Sequence, residues 1–184
     1  YAVIPGHSYS SLFGRKAVDA GFEVVVHMPL ENTGKTFGEE DFVLLTSMEE
    51  DEIIKRLNKA LDEIPTAIGM NNHQGSKASA DSSVVISIAK VIKERNLFFI
   101  DSRTTAESII ESTMESLNIP TARRNVFLDN DDEEEKIIAQ LMELAQKASE
   151  LGFAIGIGHV KPKTLSVLEK YIPILKERGF KFEF

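Results

Sequence analysis

The sequence alternates short apolar, β-branched segments with longer amphipathic segments from one end of the chain to the other. The short segments have the length and composition of strands that are buried on both faces, and the longer ones repeat apolar residues at helical spacing. This alternation predicts a parallel sheet whose strands are connected by right-handed helical crossovers. Strands are predicted at 1–4, 22–26, 66–70, 97–100, 121–128, 153–157 and 180–184.

The number of strands limits the architecture. Seven parallel strands are one fewer than a complete eightfold barrel contains, and 184 residues are well short of the ~250 typical of that fold. We therefore expect an α/β protein with an irregular or incomplete (β/α) barrel, and a doubly wound open sheet is the alternative. No linker or internal repeat interrupts the pattern, so residues 1–184 are predicted to form a single domain.

Residues with known preferences for helix ends mark the predicted helices. Asp81 can cap the helix whose apolar residues follow it, and Gly152 is placed to end the longest helix. The segments Ser47–Glu50 and Thr104–Glu107 have the pattern of a capping box, in which a hydroxyl and a carboxylate satisfy the first backbone amides of a helix. We therefore expect helices to begin at these two segments.

The composition excludes several classes of function. Because the chain contains no cysteine, it has no disulfide, no thiolate metal site and no cysteine nucleophile, so any metal must be held by His, Asp or Glu. The net charge of −8, without clustered Lys or Arg, argues against nucleic acid and anionic membranes as partners. No apolar run approaches the ~18 residues of a membrane span, and no stretch has the pattern of a signal peptide.

The segment Gly21–Glu31 joins a strand-like run to polar residues. Proline cannot donate a hydrogen bond to a central strand ladder, so Pro29 predicts that the strand ends before it. His27 and Glu31 are then expected where the strand leaves the sheet, which is where α/β proteins usually place their chemistry. The polar loop 32–41 that follows, with Gly34 and Gly38, is a candidate substrate loop.

Polar residues follow other predicted strands in the same way. His27, His73, Asp101, Asp129 and His159 each come within a few residues of an apolar segment, and the carboxyl ends of parallel strands gather on one face. Imidazole and carboxylate are the ligands of zinc and related divalent metals. A bound metal lowers the pKa of water and polarises a carbonyl group, and a nearby histidine can protonate a leaving group. The set therefore suggests metal-assisted hydrolysis.

Each of these residues also has a purely structural interpretation. Asp129 precedes an acidic segment and can be an ordinary helix N-cap. Asp101 can simply accept hydrogen bonds from turn amides, and a lone histidine such as His27 is often only part of the hydrogen-bonded framework. His159 follows two glycines, Gly156 and Gly158, which leave room beside the backbone, and His73 lies in a polar cluster, so the structural interpretation is weaker for these two.

Four segments, in the same order, resemble the divergent polysaccharide deacetylase family. They read GFEVVVHMPLE at 21–31, GMNNHQGS at 69–76, LFFIDSRT at 97–104 and GIGHVKPKT at 156–164. This family is an outlying branch of the carbohydrate esterases, which remove acetyl groups from chitin-like and peptidoglycan sugars. The resemblance covers essentially the whole chain and implies the distorted (β/α) barrel that deacetylases share with glycoside hydrolases.

The resemblance also implies roles for individual residues. Better-known deacetylases carry two metal-binding histidines spaced His-x-x-x-His in the first segment, where this chain has His27 and Glu31, so His27 carries over as a ligand and Glu31 takes the place of the second histidine. His73 is the best candidate for a further ligand. The expected catalytic residues are His159 as general acid, with Asp101 and Arg103 orienting the site. The expected substrate-binding residues are Asn71, Asn72, Ser76 and Lys161.

One feature of the family has no counterpart in this sequence. Deacetylases open with a strand that ends in two aspartates, one a general base and one a metal ligand. This chain starts at Tyr1, inside an apolar run that corresponds to the second strand. We therefore expect either that the first strand of the barrel is missing from this chain, which is then a fragment or a processed form, or that this protein lacks the general base.

The resemblance implies a metal-dependent hydrolase that removes N- or O-acetyl groups from a polysaccharide, with zinc as the expected metal. Two alternatives are a catalytically impaired relative that binds carbohydrate and, less favoured by the acidic charge, a phosphoesterase. Cell-wall substrates would imply an extracytoplasmic protein. The sugar, the acetyl position and the oligomeric state are not determined by the sequence.

Overall fold

A computed structural model describes residues 1–36 and 40–183 of the chain. Two compact units are present, unit 1 (Tyr1–Arg123) and unit 2 (Arg124–Phe184), and each is described by itself. The prediction of a single domain over 1–184 stays a prediction. The part of the candidate substrate loop that contains Gly38 lies outside the described residues.

Unit 1 is a parallel sheet with helical crossovers. Its elements are β1 (Ala2–Val3), α1 (Ser10–Asp19), β2 (Val25–Leu30), α2 (Glu50–Glu63), β3 (Gly69–Gln74), a 3₁₀ turn (Ala78–Ala80), α3 (Ser82–Glu94), β4 (Phe98–Asp101), α4 (Ile110–Ser116) and β5 (Thr121–Arg123). The five strands pair in parallel in the order β1-β2-β3-β4-β5. A doubly wound sheet requires a reversal of strand order, which this order does not contain.

Unit 2 continues the same alternation. Its elements are β6 (Val126–Phe127), α5 (Glu134–Leu151), β7 (Gly156–Ile157) and α6 (Pro162–Glu177), and β6 pairs with β7 in parallel. The prediction of an α/β fold with parallel strands is therefore confirmed.

Each unit buries its own apolar cluster. In unit 1 the apolar faces of the strands and of α2 and α3 form the core, whose strand and α2 members include Met28, Leu30, Met70, Phe99, Ile53 and Leu57. In unit 2 the core residues are Val126, Leu128, Ile137, Leu141, Val167 and Leu175. The Asp81 cap is confirmed, because its carboxylate accepts a hydrogen bond from the backbone amide of Val84 at 3.0 Å.

The prediction that Pro29 ends its strand is wrong. β2 runs from Val25 to Leu30, and Pro29 lies opposite His73 in the parallel ladder with β3. The carbonyl of Pro29 accepts a hydrogen bond from the backbone amide of Leu44 at 3.0 Å. Because the nitrogen and carbonyl of a strand residue point to the same side, the missing N–H of Pro29 faces away from β3 and costs that ladder nothing.

Three other local predictions are also wrong. α2 and α4 begin after the predicted capping boxes, and neither helix has a side-chain cap. The carboxylate of Glu107 accepts a hydrogen bond from the Thr105 hydroxyl instead. In the segment predicted as the last strand, residues 180–183 form no strand; Phe180 and Phe182 pack against the core of unit 2 instead.

Candidate functional site

The neighbouring strands β2 and β3 bring His27 and His73 together, and His27 lies inside β2 and not at the strand end where it was predicted. Nε2 of His27 and Nδ1 of His73 are 3.1 Å apart, and the ring centroids are 4.8 Å apart at an interplanar angle of 65°. His27 lies opposite Asn71 in the ladder, and His73 lies opposite Pro29. Side chains that alternate along parallel neighbours meet on one face of the sheet, so strand register alone places the two imidazoles side by side.

Asn71 holds the outer nitrogen of His27. Its side-chain oxygen lies 2.9 Å from Nδ1 of His27, and its amide nitrogen donates to the hydroxyl of Ser102 at 3.3 Å. Asn71 is buried, so its amide has a fixed set of partners. An amide oxygen only accepts, so Asn71 can receive a hydrogen bond from Nδ1 of His27, while Nε2 of His27 faces His73.

The His27–His73 pair has the donor chemistry of a metal centre. Two imidazole nitrogens that bind one tetrahedral zinc ion lie about 3.3 Å apart, given Zn–N bonds of ~2.0–2.1 Å, and the nitrogens here are 3.1 Å apart. The hydrogen bond from His27 to Asn71 is the kind of outer-shell contact that orients a metal-binding histidine. Within residues 1–36 and 40–183, no group of three or more His, Asp or Glu side chains is arranged to hold a metal ion.

Glu31, predicted as a third ligand, is engaged elsewhere. One carboxylate oxygen accepts hydrogen bonds from the backbone amide and hydroxyl of Thr46 at 2.6 and 2.7 Å, and the other pairs with Nζ of Lys77 at 2.7 Å. Burial alone would raise the pKa of Glu31, but the bonds from Lys77 and Thr46 outweigh it and hold the pKa below its usual value. Glu31 therefore ties β2 to the segment after β3.

The predicted residues after β4 form a buried turn. The carboxylate of Asp101 is fully buried and accepts hydrogen bonds from the backbone amide of Arg103 at 2.7 Å and the hydroxyl of Ser108 at 2.8 Å. Arg103 has a φ of 50°, in the left-handed region that non-glycine residues rarely adopt. The side chain of Asp101 therefore accepts a hydrogen bond from a turn amide, as its structural interpretation predicted.

Asn72 and Ser76 differ in what they offer a substrate. Asn72 is fully buried; its oxygen accepts from the backbone amide of Ser102 at 2.8 Å, and its nitrogen donates to the carbonyl of Gln74 at 2.9 Å. Ser76 lies in the more open turn after β3, where its hydroxyl is 3.2 Å from the side-chain oxygen of Asn32. Asn72 thus fixes the strand ends, whereas Ser76 is closer to solvent.

Unit 2 contains a second cluster, centred on Asp129. The fully buried carboxylate of Asp129 accepts hydrogen bonds from the backbone amide of His159 at 2.9 Å, from Nδ1 of His159 at 3.0 Å and from the hydroxyl of Thr164 at 2.9 Å. Nζ of Lys161 lies 3.8 Å from the same carboxylate. The side chain of His159 is 58% exposed, so a buried acid holds an accessible imidazole.

The hydrogen bonds that Asp129 accepts lower the pKa of its carboxyl group. Burial would raise the pKa of Asp129, but hydrogen bonds from Thr164 and from the backbone and ring of His159 outweigh it, so the pKa lies below its usual value. An ionised carboxylate only accepts, so His159 carries a proton on Nδ1 and its Nε2 is the nitrogen available for proton exchange. The interpretation of Asp129 as an N-cap is wrong, because α5 begins at Glu134 with Glu133 as its N-cap.

Sequence reasoning missed three residues of these clusters. Thr164 was inside a recognised segment but received no role, and nothing local marks a buried hydroxyl that faces an acid 35 residues away. Asn32 and Gln74 bond to each other across 42 residues, so only the strand register reveals their contact. Asp129 did carry a signal, because it follows a strand as His159 does.

Known proteins match this chain over nearly its whole length. A family model described as divergent polysaccharide deacetylase matches residues 1–183. An uncharacterized protein from Haemophilus influenzae is 32% identical over 96% of this chain, and the uncharacterized protein YibQ from Escherichia coli is 30% identical over 93% of it. The matches cover 62% and 53% of those two proteins, so the chain spans little more than half the length of these relatives.

A solved structure has the same fold. The crystal structure of an uncharacterized protein from Agrobacterium tumefaciens superposes with a TM-score of 0.91 at 23% sequence identity, covering 96% of this chain and 72% of that one. At this level of identity the likeness concerns the fold alone. Within the described part of the chain, no helix has both the length and the apolar character that a membrane crossing requires.

Proposed function

The chain belongs to the divergent polysaccharide deacetylase family, and on that premise we propose that it is part of a metal-dependent hydrolase that removes acetyl groups from a polysaccharide. The expected substrates are N- or O-acetylated sugars of the chitin or peptidoglycan type. We also propose that the parallel strands belong to an irregular (β/α) barrel and that the protein acts outside the cytoplasm, where such polymers occur.

The observation that carries the proposal is the contact between His27 and His73. Their facing nitrogens, 3.1 Å apart, are the two ligands that this chain contributes to a divalent metal, most simply zinc. When bound, the metal supplies Lewis acidity towards the acetyl carbonyl and lowers the pKa of water. The side-chain oxygen of Asn71, 2.9 Å from Nδ1 of His27, orients the ring of this ligand. In this proposal Glu31 stabilises the fold and is not a ligand, since Lys77 and Thr46 engage its carboxylate.

His159 is the proposed proton donor for the leaving group. Deacetylation of an amide requires protonation of the departing amine, and a histidine held by a carboxylate is suited to this step. Asp129 fixes the ring through Nδ1, so the proton would leave from Nε2. Lys161, whose Nζ lies 3.8 Å from the same carboxylate, is proposed to contact the substrate beside His159.

The remaining predicted residues receive more limited roles. We assign Ser76 to substrate binding because it lies in the open turn after β3. Asn71 and Asn72 act on the site indirectly. Asn71 contacts the ring of His27, and Asn72 accepts a hydrogen bond from the backbone amide of Ser102. Asp101 and Arg103 shape the turn after β4, where the buried carboxylate holds the strained backbone of Arg103.

The test is acetate release from acetylated chito-oligosaccharides by the intact protein supplied with zinc, cobalt or manganese. We expect release by the wild type, loss of release and of bound metal in His27→Ala, and loss of release with retained metal in His159→Ala. The second variant is the matched control for the first, because both remove one imidazole. Absence of release with every metal, or equal release by all three proteins, would reject the proposal for these substrates.

A second candidate is a carbohydrate-binding relative without catalytic activity. It is favoured by the engagement of both carboxylate oxygens of Glu31, the residue expected as a further metal ligand. Such a protein would bind the oligosaccharide with the same affinity in the presence and absence of metal. Isothermal titration of wild type and His27→Ala with the same oligosaccharide separates the two functions.

A further inference from the structure

The hydrogen bond to Asp129 holds the ring of His159 at one atom. Nδ1 of His159 lies 3.0 Å from Oδ1 of Asp129, and the side chain of His159 is 58% exposed. Hydrogen bonds to an sp² oxygen tolerate a broad range of directions, so a ring held only at Nδ1 can still swing about that bond by changing its side-chain torsions. A second contact is needed to define the plane of the imidazole and the direction of Nε2.

The ring of Phe127 supplies a second contact in unit 2. Its centroid lies 5.4 Å from the centroid of the His159 ring, at an interplanar angle of 81°. This T-shaped arrangement is one of the favourable geometries of aromatic pairs, and such a pair changes an equilibrium by a factor of roughly 2–12. The imidazole is therefore held by a carboxylate at Nδ1 and by an aromatic ring at a second place.

Strand register places Phe127 beside His159. Phe127 lies opposite Ile157 in the parallel ladder of β6 and β7, and His159 follows Ile157 by two residues. Side chains two residues apart project to the same side while the chain stays extended. The residues on either side of Phe127, Val126 and Leu128, are buried in the core of unit 2, whereas Phe127 is half-buried. Phe127 is therefore directed away from that core and towards the side chain of His159.

We propose that Phe127 is a positioning residue that limits the swing of the His159 ring and thereby fixes the direction in which Nε2 faces. The proposal rests on the role proposed above for His159 as proton donor. Proton transfer to a departing amine requires a donor within hydrogen-bond reach, and a misplacement of about 1 Å can cost a factor of ~10² in rate. Phe127 therefore acts on the chemical step through His159.

A platform for a sugar ring is the other role open to an aromatic side chain at such a site. Cζ of Arg124 lies 5.3 Å from the centroid of the Phe127 ring, within the ~6 Å range of a cation–π contact. The guanidinium group covers one face of the ring, and His159 also contacts the ring. Stacking of a sugar requires an open face, so these contacts favour the positioning of His159. The two roles differ kinetically, because loss of a platform raises KM and loss of positioning lowers kcat.

Three variants isolate the aromatic ring. Phe127→Leu removes the ring and keeps an apolar side chain, so the ratio of the main orientation of His159 to the others should fall by roughly 2–12-fold. Phe127→Tyr keeps the ring and should keep the wild-type ratio. Phe153→Leu makes the same chemical change at a phenylalanine of unit 2 that is 67% exposed, and it should leave the orientation of His159 unchanged.

The experiment measures the three-bond couplings between Hα and Hβ of His159, which report its χ1 rotamers, in the intact protein without metal or substrate. The signals of His159 are identified by their loss in His159→Gln. We expect one dominant rotamer in the wild type and in Phe127→Tyr, and averaging over several in Phe127→Leu. Averaged couplings in the wild type, or equal couplings in wild type and Phe127→Leu, would overturn the proposal. The wild-type measurement keeps the test informative if Phe127→Leu does not fold.

Kinetics of acetate release complete the test. We expect a lower kcat with unchanged KM in Phe127→Leu, and wild-type values of both in Phe153→Leu. A raised KM with unchanged kcat in Phe127→Leu would overturn the proposal and assign Phe127 to sugar binding. Because the rotamers are read without substrate, a wild type that releases no acetate would reject the proposed function, whereas unchanged rotamers in an active enzyme would reject only the role of Phe127.

Discussion

The carboxylate of Asp129 accepts two hydrogen bonds from His159, one from its backbone amide at 2.9 Å and one from Nδ1 at 3.0 Å. The first bond fixes the chain at residue 159, and the second fixes the rotation of the ring. An exposed histidine normally samples several rotamers, so this double contact with a fully buried acid restricts the orientation from which Nε2 can exchange a proton.

The first prediction concerns the pH dependence of stability. Asp129→Asn should lower the free energy of unfolding by about 2 kcal/mol at pH 7, because hydrogen bonds to a buried charge are replaced by weaker or mismatched ones. The pKa of Asp129 is lowered in the folded chain, so its contribution is fully present above the unfolded value of ~3.9 and is lost as the pH falls through the folded value. The difference between wild type and variant should therefore shrink in acid.

Urea unfolding of both proteins from neutral pH down to about pH 2 measures this difference. Asp131→Asn is the matched control, because the same change is made at an exposed carboxylate whose nearest cation, Lys136, is 3.7 Å away. It should leave the free energy of unfolding nearly unchanged at every pH. A gap between wild type and Asp129→Asn that persists at the acid end would contradict the assignment of a lowered pKa.

A second prediction separates the hydroxyl of Thr164 from its methyl group. Thr164→Val keeps the shape but removes the donor to the buried carboxylate of Asp129, and it should cost about 1–3 kcal/mol of unfolding free energy. Thr164→Ser keeps the donor and should cost less, about 1 kcal/mol for one lost methyl group. Thermal and urea unfolding of the two variants give the order, and a larger loss for Ser than for Val would show that packing dominates.

A third prediction tests the orientation of His27 by Asn71. Asn71→Leu removes the acceptor beside Nδ1 of His27, and outer-shell changes of this kind typically weaken metal binding by about 10–100-fold. Ser102→Ala removes the contact behind Asn71 and leaves the Asn71 oxygen beside His27, so it should weaken binding by a smaller factor. Chelator competition with zinc measures both. Equal affinity in wild type and Asn71→Leu would mean that His27 does not depend on this contact.

Pattern alone predicted the alternation of strands and helices and the parallel sheet, because burial on both faces leaves a clear local signature. It failed where a strand end depends on a distant partner. The stop predicted at Pro29 ignored the amide of Leu44, which bonds to its carbonyl from the following loop. At Ser47 a hydroxyl was available, but the helix begins at Glu50, where three successive acids occupy the first turn and complement the helix dipole.

The candidate site shows the same limit. His27 and His73 were both predicted at strand ends, and the structure places their rings in contact. The residues that control these rings are amides whose partners are more than 40 positions away, such as Gln74 with Asn32. Their importance follows from the direction of hydrogen bonds, which depends on three-dimensional register and not on residue type. Sequence therefore identifies the imidazoles more readily than the amides that contact them.

The last prediction compares two glycines with the same backbone requirement. Gly75 has a φ of 95° and Gly21 a φ of 87°, so an alanine at either position costs about 1–2 kcal/mol through left-handed strain alone. A Cβ at Gly21 would meet open space, whereas one at Gly75 would lie 2.7 Å from Cβ of Leu30. Leu30 is fully buried in β2 and cannot yield without moving the strand, so overpacking adds a further ~1–3 kcal/mol.

Urea unfolding should therefore show a clearly larger loss for Gly75→Ala than for Gly21→Ala. The two losses would be equal only if Leu30 moved freely, which its place in the core of unit 1 opposes. Gly75→Ala should also disturb the backbone amide that donates to Asn32, while Gly21→Ala lies far from this turn in sequence.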